Sequence, residues 1–265
     1  MRATDFIYDG KKLSDLGFMI GTIDESSGSD TIEVGSQITF DTSGHYGGKV
    51  FYLTDARYED CISFEISICK IPCKNDQMEI TSTEFRELMR WLNRKQFLLF
   101  SFVAEKSIWY YASFNIQKRE VDGKLYGLVL SAVTNAPFGF ADEVTQTLTI
   151  SSAGQSTTFT DESDEIGLLY PKTVITCKAS GNLKITNDMM QSPFLVNNCS
   201  SGEVITLSGN TLLISTSNSK HSVCDDFNFE FFQIGNSYTN RVNTITSSLP
   251  CTIQITYRPI IKDVL

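Results

Sequence analysis

The sequence predicts a mainly β protein in two antiparallel parts, the first carrying a single helix. Three observations predict it. Residues 81–95, TSTEFRELMRWLNRK, are the one stretch with sustained helical periodicity. Strand-like alternation fills the chain on both sides of that stretch. Beyond TNAPFGF, residues 134–140, the composition turns to Ser, Thr and Asn, and short apolar runs stand between turn residues.

The helix has a recognisable face and a recognisable start. Phe85, Leu88, Met89 and Leu92 fall at i, i+3, i+4 and i+7, so they share one apolar face that must lie on a sheet. Thr81 and Glu84 form a capping-box pair. Glu84 and Glu87 come early and Arg90, Arg94 and Lys95 late, which suits the helix dipole.

Ahead of the helix, residues 6–8 read as a short strand before an Asp9-Gly10 turn, and 16–23 as a second apolar stretch. Residues 31–40 alternate through Ile32, Val34, Ile38 and Phe40, with an irregularity at Gly35. SGHYGG, 43–48, is a loop, and Val50 to Leu53 starts a strand. Ile62, Phe64, Ile66 and Ile68 point to one side of a strand that Pro72 ends. After the helix, 97–103 is a dense apolar run. Residues 108–121 and 125–133 flank Asp122-Gly123, a two-residue turn signal. Arms of that length either project and pair with a neighbouring chain or close the first sheet.

The junction at 134–140 separates a domain at 1–134, which holds both tryptophans, Trp91 and Trp109, from one at 135–265. The second part reads as an antiparallel sandwich with no helix. Its strands are 147–151, 168–177, 183–186, 194–197, 203–207, 211–215, 228–234, 241–247 and 251–257.

The net charge is −9, divided −4 and −5 between the two parts, so neither is a basic module for nucleic acid. The basic residues Arg86, Arg90, Arg94 and Lys95 read as a solvated helix face. No apolar run approaches the ~18 residues of a membrane span, and MRATDFIYDGKK has no secretory apolar core. Seven cysteines, an odd count, point to reduced thiols; Cys69-x3-Cys73 lacks further zinc ligands, and buried small hydrophobes are the better account. His45 and His221 sit in loops, with no nucleophile arrangement beside them. No cofactor motif is present. Asp161, Glu162, Asp164 and Glu165 form an acidic cluster, read as a solvated loop against a Ca2+ site. Tyr170, Tyr238 and Tyr257 are the candidate platforms for stacking on a sugar, since the second part has no Trp.

Two stretches, taken in order with APFGF between them, carry a family resemblance. The first runs from DFIYDGKKLSDLGFMI through CISFEISICK to STEFRELMRWLNRKQFLLF. The second runs from GEVITLSGNTLLIS to DDFNFEFFQIGNSYTNRVNTI and ITYRP. Together they resemble the distal tail proteins of long-tailed, non-contractile bacteriophages and their prophage relatives, above all those of low-GC Gram-positive hosts. The resemblance implies an N-terminal β-sandwich with one helix and an extended hairpin, six copies of which close into a ring. It implies a C-terminal galectin-like β-sandwich. The homohexamer would sit at the tip of the virion tail after assembly in the bacterial cytoplasm, between the major tail tube protein and the tail-tip protein. In some members it also anchors a receptor-binding protein. DNA would pass through without being held, and an acidic conduit suits that task. The chain is too short for the large C-terminal insertion of such anchoring members. The expectation is therefore a structural hub without catalytic, cofactor or metal residues. The competing reading is a carbohydrate-binding module for host adsorption, and a third is a glycan-cleaving enzyme.

Overall fold

The computed structural model describes residues 4–21, 37–44, 48, 50–75, 77–104 and 107–262. The predicted strand residues 31–36, including Ile32, Val34 and Gly35, and His45 lie outside the described residues. The chain divides into two compact units, Met1–Ala141 with Ile261–Leu265, and Asp142–Ile260.

The strands of the first unit are β1 (Phe6–Tyr8), β2 (Lys11–Lys12), β3 (Phe18–Ile20), β4 (Ile38–Gly44), β5 (Phe51–Tyr58), β6 (Ser63–Lys70), β7 (Leu98–Phe102), β8 (Tyr110–Val121), β9 (Lys124–Thr134) and β10 (Gly139–Phe140). Seven of them form one sheet in the order β2-β1-β7-β8-β9-β6-β3. Its pairings are antiparallel. The even-numbered residues of β6 turn inward as predicted, with Ile66 and Ile68 fully buried. Asp9-Gly10 and Asp122-Gly123 turn with both residues at positive φ, the conformation a two-residue hairpin turn needs.

Helix α1 runs from Ser82 to Leu92, three residues shorter at its end than the basic tail of its sequence pattern. The capping box forms. Thr81 Oγ1 accepts from the Glu84 amide at 3.3 Å and the Thr81 amide donates to Glu84 Oε2 at 2.7 Å. Glu84 also takes the ammonium of buried Lys70, at the end of β6, at 2.8 Å. Burial works against the Glu84 carboxylate, but the bonds from Lys70 and Thr81 outweigh it and hold its pKa below the usual range. Leu88 and Leu92 are buried as predicted; Phe85 and Met89 are half-buried at the margin of the face. Trp91 is the member the pattern missed. It stacks on Phe6 at 5.8 Å, and its Nε1 donates to the Tyr8 carbonyl at 3.0 Å, so one side chain joins helix to sheet by area and by hydrogen bond.

The second unit holds β11 (Val144–Ile150), β12 (Ser156–Thr160), β13 (Gly167–Leu169), β14 (Lys172–Cys177), β15 (Gly181–Asn187), β16 (Phe194–Cys199), β17 (Val204–Ser208), β18 (Leu213–Thr216), β19 (Ile234–Asn236), β20 (Val242–Ser247) and β21 (Cys251–Tyr257). One sheet is β11-β21-β14-β17-β18 and another β12-β20-β15-β16, with β13 paired to β19. All pairings are antiparallel. Inward residues such as Ile175, Ile185, Ile253 and Ile255 make one core, while Thr145–Thr256 and Ser156–Thr246 hydroxyl pairs line outer faces.

Four expectations change here, the first being that β12 (Ser156–Thr160) stands where no strand was predicted. The predicted strand at 168–177 breaks at Tyr170-Pro171, where Pro has no amide for a ladder. The predicted strand at 228–234 is mostly irregular, because Phe229 stands at φ +62° and disrupts the alternation. A short helix, α2 (Val223–Asp226), stands where none was predicted; its four residues are too few to show a period. No helix of the described residues is long and apolar enough to cross a membrane.

Candidate functional site

The long β8–β9 hairpin closes the first sheet rather than projecting from it. β9 pairs with β6 as far as Gly127, the Ile80 amide donates to the Leu125 carbonyl at 2.7 Å, and Lys124 sits 3.5 Å from Glu79. The element that stands apart is the two-stranded ribbon of β4 and β5, which pair only with each other among the described strands.

The ribbon has two unlike faces. Directly opposed residues share a face. The pairs Ile38–Tyr58 and Phe40–Ala56 lie on one face, with Thr39–Arg57 and Asp41–Asp55 on the other. A register shift follows Asp41, so the next pairs are Thr42–Leu53 and Gly44–Phe51. One residue of β5 is thereby taken out of step. Leu53 and Phe51 consequently join Ile38, Phe40 and Tyr58 on one apolar face. The other face carries Arg57, 3.4 Å from Asp41 and 3.7 Å from Asp55. Phe40, Phe51 and Leu53 are 60 %, 73 % and 59 % exposed, so the apolar face is open in the single chain. The root of the ribbon is anchored by Tyr58, which meets Phe138 edge-on at 6.3 Å. At the other end Phe51 lies over Gly44, where a Cβ would come within 3.1 Å of its ring.

The three tyrosines do not make one platform. Tyr170 follows β13 and Tyr238 follows β19, and both are exposed. Tyr257 is a correction: it closes β21 with its ring in the core, and its hydroxyl bonds to Asp161, so it offers no face to a sugar. Burial and that carboxylate push its phenol above the ordinary range.

The acidic cluster is also corrected in part. Asp161 is fully buried, with Oδ1 accepting from the Ser163 amide and hydroxyl and Oδ2 from Asn236 Nδ2 at 2.7 Å. No group of described residues is arranged to hold a metal ion. Of the cysteines, all free, Cys177, Cys199 and Cys251 are buried, while Cys73 and Cys224 are exposed.

His221 is the residue whose surroundings the sequence concealed. Its imidazole is 4 % exposed, with Nδ1 at 2.5 Å from Glu203 Oε1 and Nε2 at 3.1 Å from Asp226 Oδ2. Glu203 also accepts from Thr216 Oγ1 and from the Ser200 amide. Burial opposes charge on both groups, yet these hydrogen bonds win. The pKa of His221 is raised above 6.5 and that of Glu203 is held below 4.5.

The fold defines a class, a mainly β protein of two antiparallel units with few helices. Residues 1–136 match the family described as "Phage tail protein N-terminal domain", and residues 138–257 match "Phage tail C-terminal domain". The chain belongs to this family of phage tail proteins. Its structure is similar to the crystal structure of SPP1 Dit (gp 19.1), described as a paradigm of the hub adsorption apparatus in phages infecting Gram-positive hosts. The TM-score is 0.66 at 16 % sequence identity, covering 97 % of this chain and 99 % of that one. No curated protein matches.

Proposed function

We propose that this tail protein is a hub at the distal end of the tail. Six copies close into a ring that joins the major tail tube protein to the tail-tip protein and leaves a channel for DNA. The first part of the chain, 1–134, forms the ring, and 135–265 is the galectin-like part. A receptor-binding protein is a further partner of some such hubs, those with a large C-terminal insertion among them, and this chain is read as the compact version. The family and the fold shared with SPP1 Dit support the reading. The single observation that carries it is the open apolar face of the β4–β5 ribbon.

That face has a cost in water that a neighbouring subunit would remove. Each large apolar side chain fully buried contributes roughly 2 kcal/mol. Ile38, Phe40, Phe51 and Leu53 are already partly covered, so together they offer on the order of 5 kcal/mol. Association costs about 4–15 kcal/mol in lost freedom. The ribbon alone therefore does not hold a stable pair, and a second contact is needed. A closed ring supplies it, because every subunit in a heterologous ring both gives and receives.

Phe40→Ser and Phe51→Ser test the reading by sedimentation velocity across a concentration series. Each is expected to weaken association by on the order of thirtyfold, from roughly 2 kcal/mol of lost burial. Thermal melts of the monomer should stay put, since both side chains are exposed. A lowered melting temperature with unchanged association would count against the ribbon as a contact surface.

A further inference from the structure

The second unit leaves one side of its sandwich to be closed by a loop. β18 is the last strand of one sheet and β16 the last of the other. Edge strands carry unpaired amides and carbonyls and need a cover. The segment 217–228 provides it. It leaves β18 with the Ser217 amide on the Val204 carbonyl at 2.9 Å. It reaches β16 with the Asn228 amide on the Leu195 carbonyl at 3.2 Å, and Asn228 Oδ1 accepts from the Leu195 amide. Asn198 Nδ2 donates to Asp226 Oδ1 at 2.9 Å. Along the way the segment inserts Val223 and Phe227 into the core, Phe227 lying 5.6 Å from Phe194.

We infer that His221 is a proton-dependent latch: its doubly protonated ring ties segment 217–228 to Glu203 at the entry of β17 and at the same time holds Asp226, which meets Asn198 of β16, and loss of one proton gives up one of the two carboxylates and loosens the segment's hold on β16. The number of ring donors decides the bond. An imidazolium donates from both ring nitrogens, whereas a neutral imidazole donates from one and presents a lone pair at the other. His221 faces a carboxylate on each side, Glu203 from the entry of β17 and Asp226 from α2. Whichever tautomer forms, one carboxylate then meets a lone pair, either that of fully buried Glu203 or that of partly exposed Asp226. The remaining titratable neighbour is Cys199 at the end of β16, and β18 contributes only the Thr216 hydroxyl. Neither can replace the missing proton at Asp226.

The hydrogen bonds that hold a proton on His221 stabilise the fold on the acid side of its titration. A histidine whose folded value is raised contributes stability that is fully present below 6.5 and is lost as the pH rises through the folded value. Glu203, held low, contributes above 4.5 and is lost on the acid side. The latch is closed between these limits and opens toward alkaline pH. Opening uncovers a strand edge and Phe227.

Hydrogen exchange of the full chain tests it. The ratio of exchange in 217–228 to that in 251–257 removes the common effect of hydroxide on rates. From about pH 6 to about pH 9 that ratio is expected to rise severalfold, because the neutral ring leaves one of its two carboxylates without a donor. In His221→Gln it should be high and flat. Because that variant can also disturb packing, nitrogen NMR of the wild-type ring is the second reading, with both nitrogens protonated expected at about pH 6. A neutral ring at about pH 6, or a wild-type ratio that does not change with pH, would overturn the latch.

Discussion

Leu92 and Leu88 show what a single residue decides here. Both are fully enclosed beneath α1, in a core that also holds Trp91, Phe6, Phe100 and Phe114. Truncating either leaves a cavity, because close-packed rings cannot collapse into it. Leu92→Ala is expected to lower stability by about 2–5 kcal/mol in urea melts, and a loss below about 1 kcal/mol would mean that the helix does not lie on the sheet as described. These residues were legible in the sequence because burial along a helix repeats at short spacing. His221 was not. Its partners stand 18 and 5 residues away, on an entry to a strand and on a four-residue helix. Nothing local in a polar loop marks such a meeting. Tyr257 misled for the opposite reason: a tyrosine at the end of a strand reads the same whether its ring faces water or core.

Elements follow their own signals where those signals are local. The capping box, the two Asp-Gly turns and the alternation of β6 all appear where the chain announces them. Thr81→Ala is expected to cost about 1 kcal/mol, the usual worth of an N-cap side chain. Glu84→Ala is expected to cost more, on the order of 2 kcal/mol, because it also leaves the buried ammonium of Lys70 without its carboxylate. Equal losses for the two in paired denaturation curves would remove Lys70 from the account. The ribbon was illegible for a clear reason. Its apolar face joins Ile38 and Phe40 to Leu53 and Phe51 only through the register shift after Asp41, and a bulge leaves no mark in a pattern of period two. Without it, these side chains would divide between both faces, and no amphipathic ribbon would result. The β8–β9 hairpin shows the converse. Its arms are as long as the sequence implied, yet Ile80 and Glu79 hold its tip against the unit.

At the scale of the whole molecule, two antiparallel units, a phage tail family and an open apolar ribbon converge on assembly. The proposed hub would let a polyanion pass rather than hold it, and a net charge of −9 suits that proposal. Copies of net charge −9 repel one another, so raised ionic strength is expected to favour association by screening that repulsion. The most direct test of the hub is the light-scattering mass after gel filtration over a concentration series, with negative-stain images of the largest species. A hub of six gives a mass near six chains and a ring with a central hole, lost together in Phe40→Ser. A single-chain mass at every concentration, unchanged when the tube and tip proteins are supplied, would contradict it.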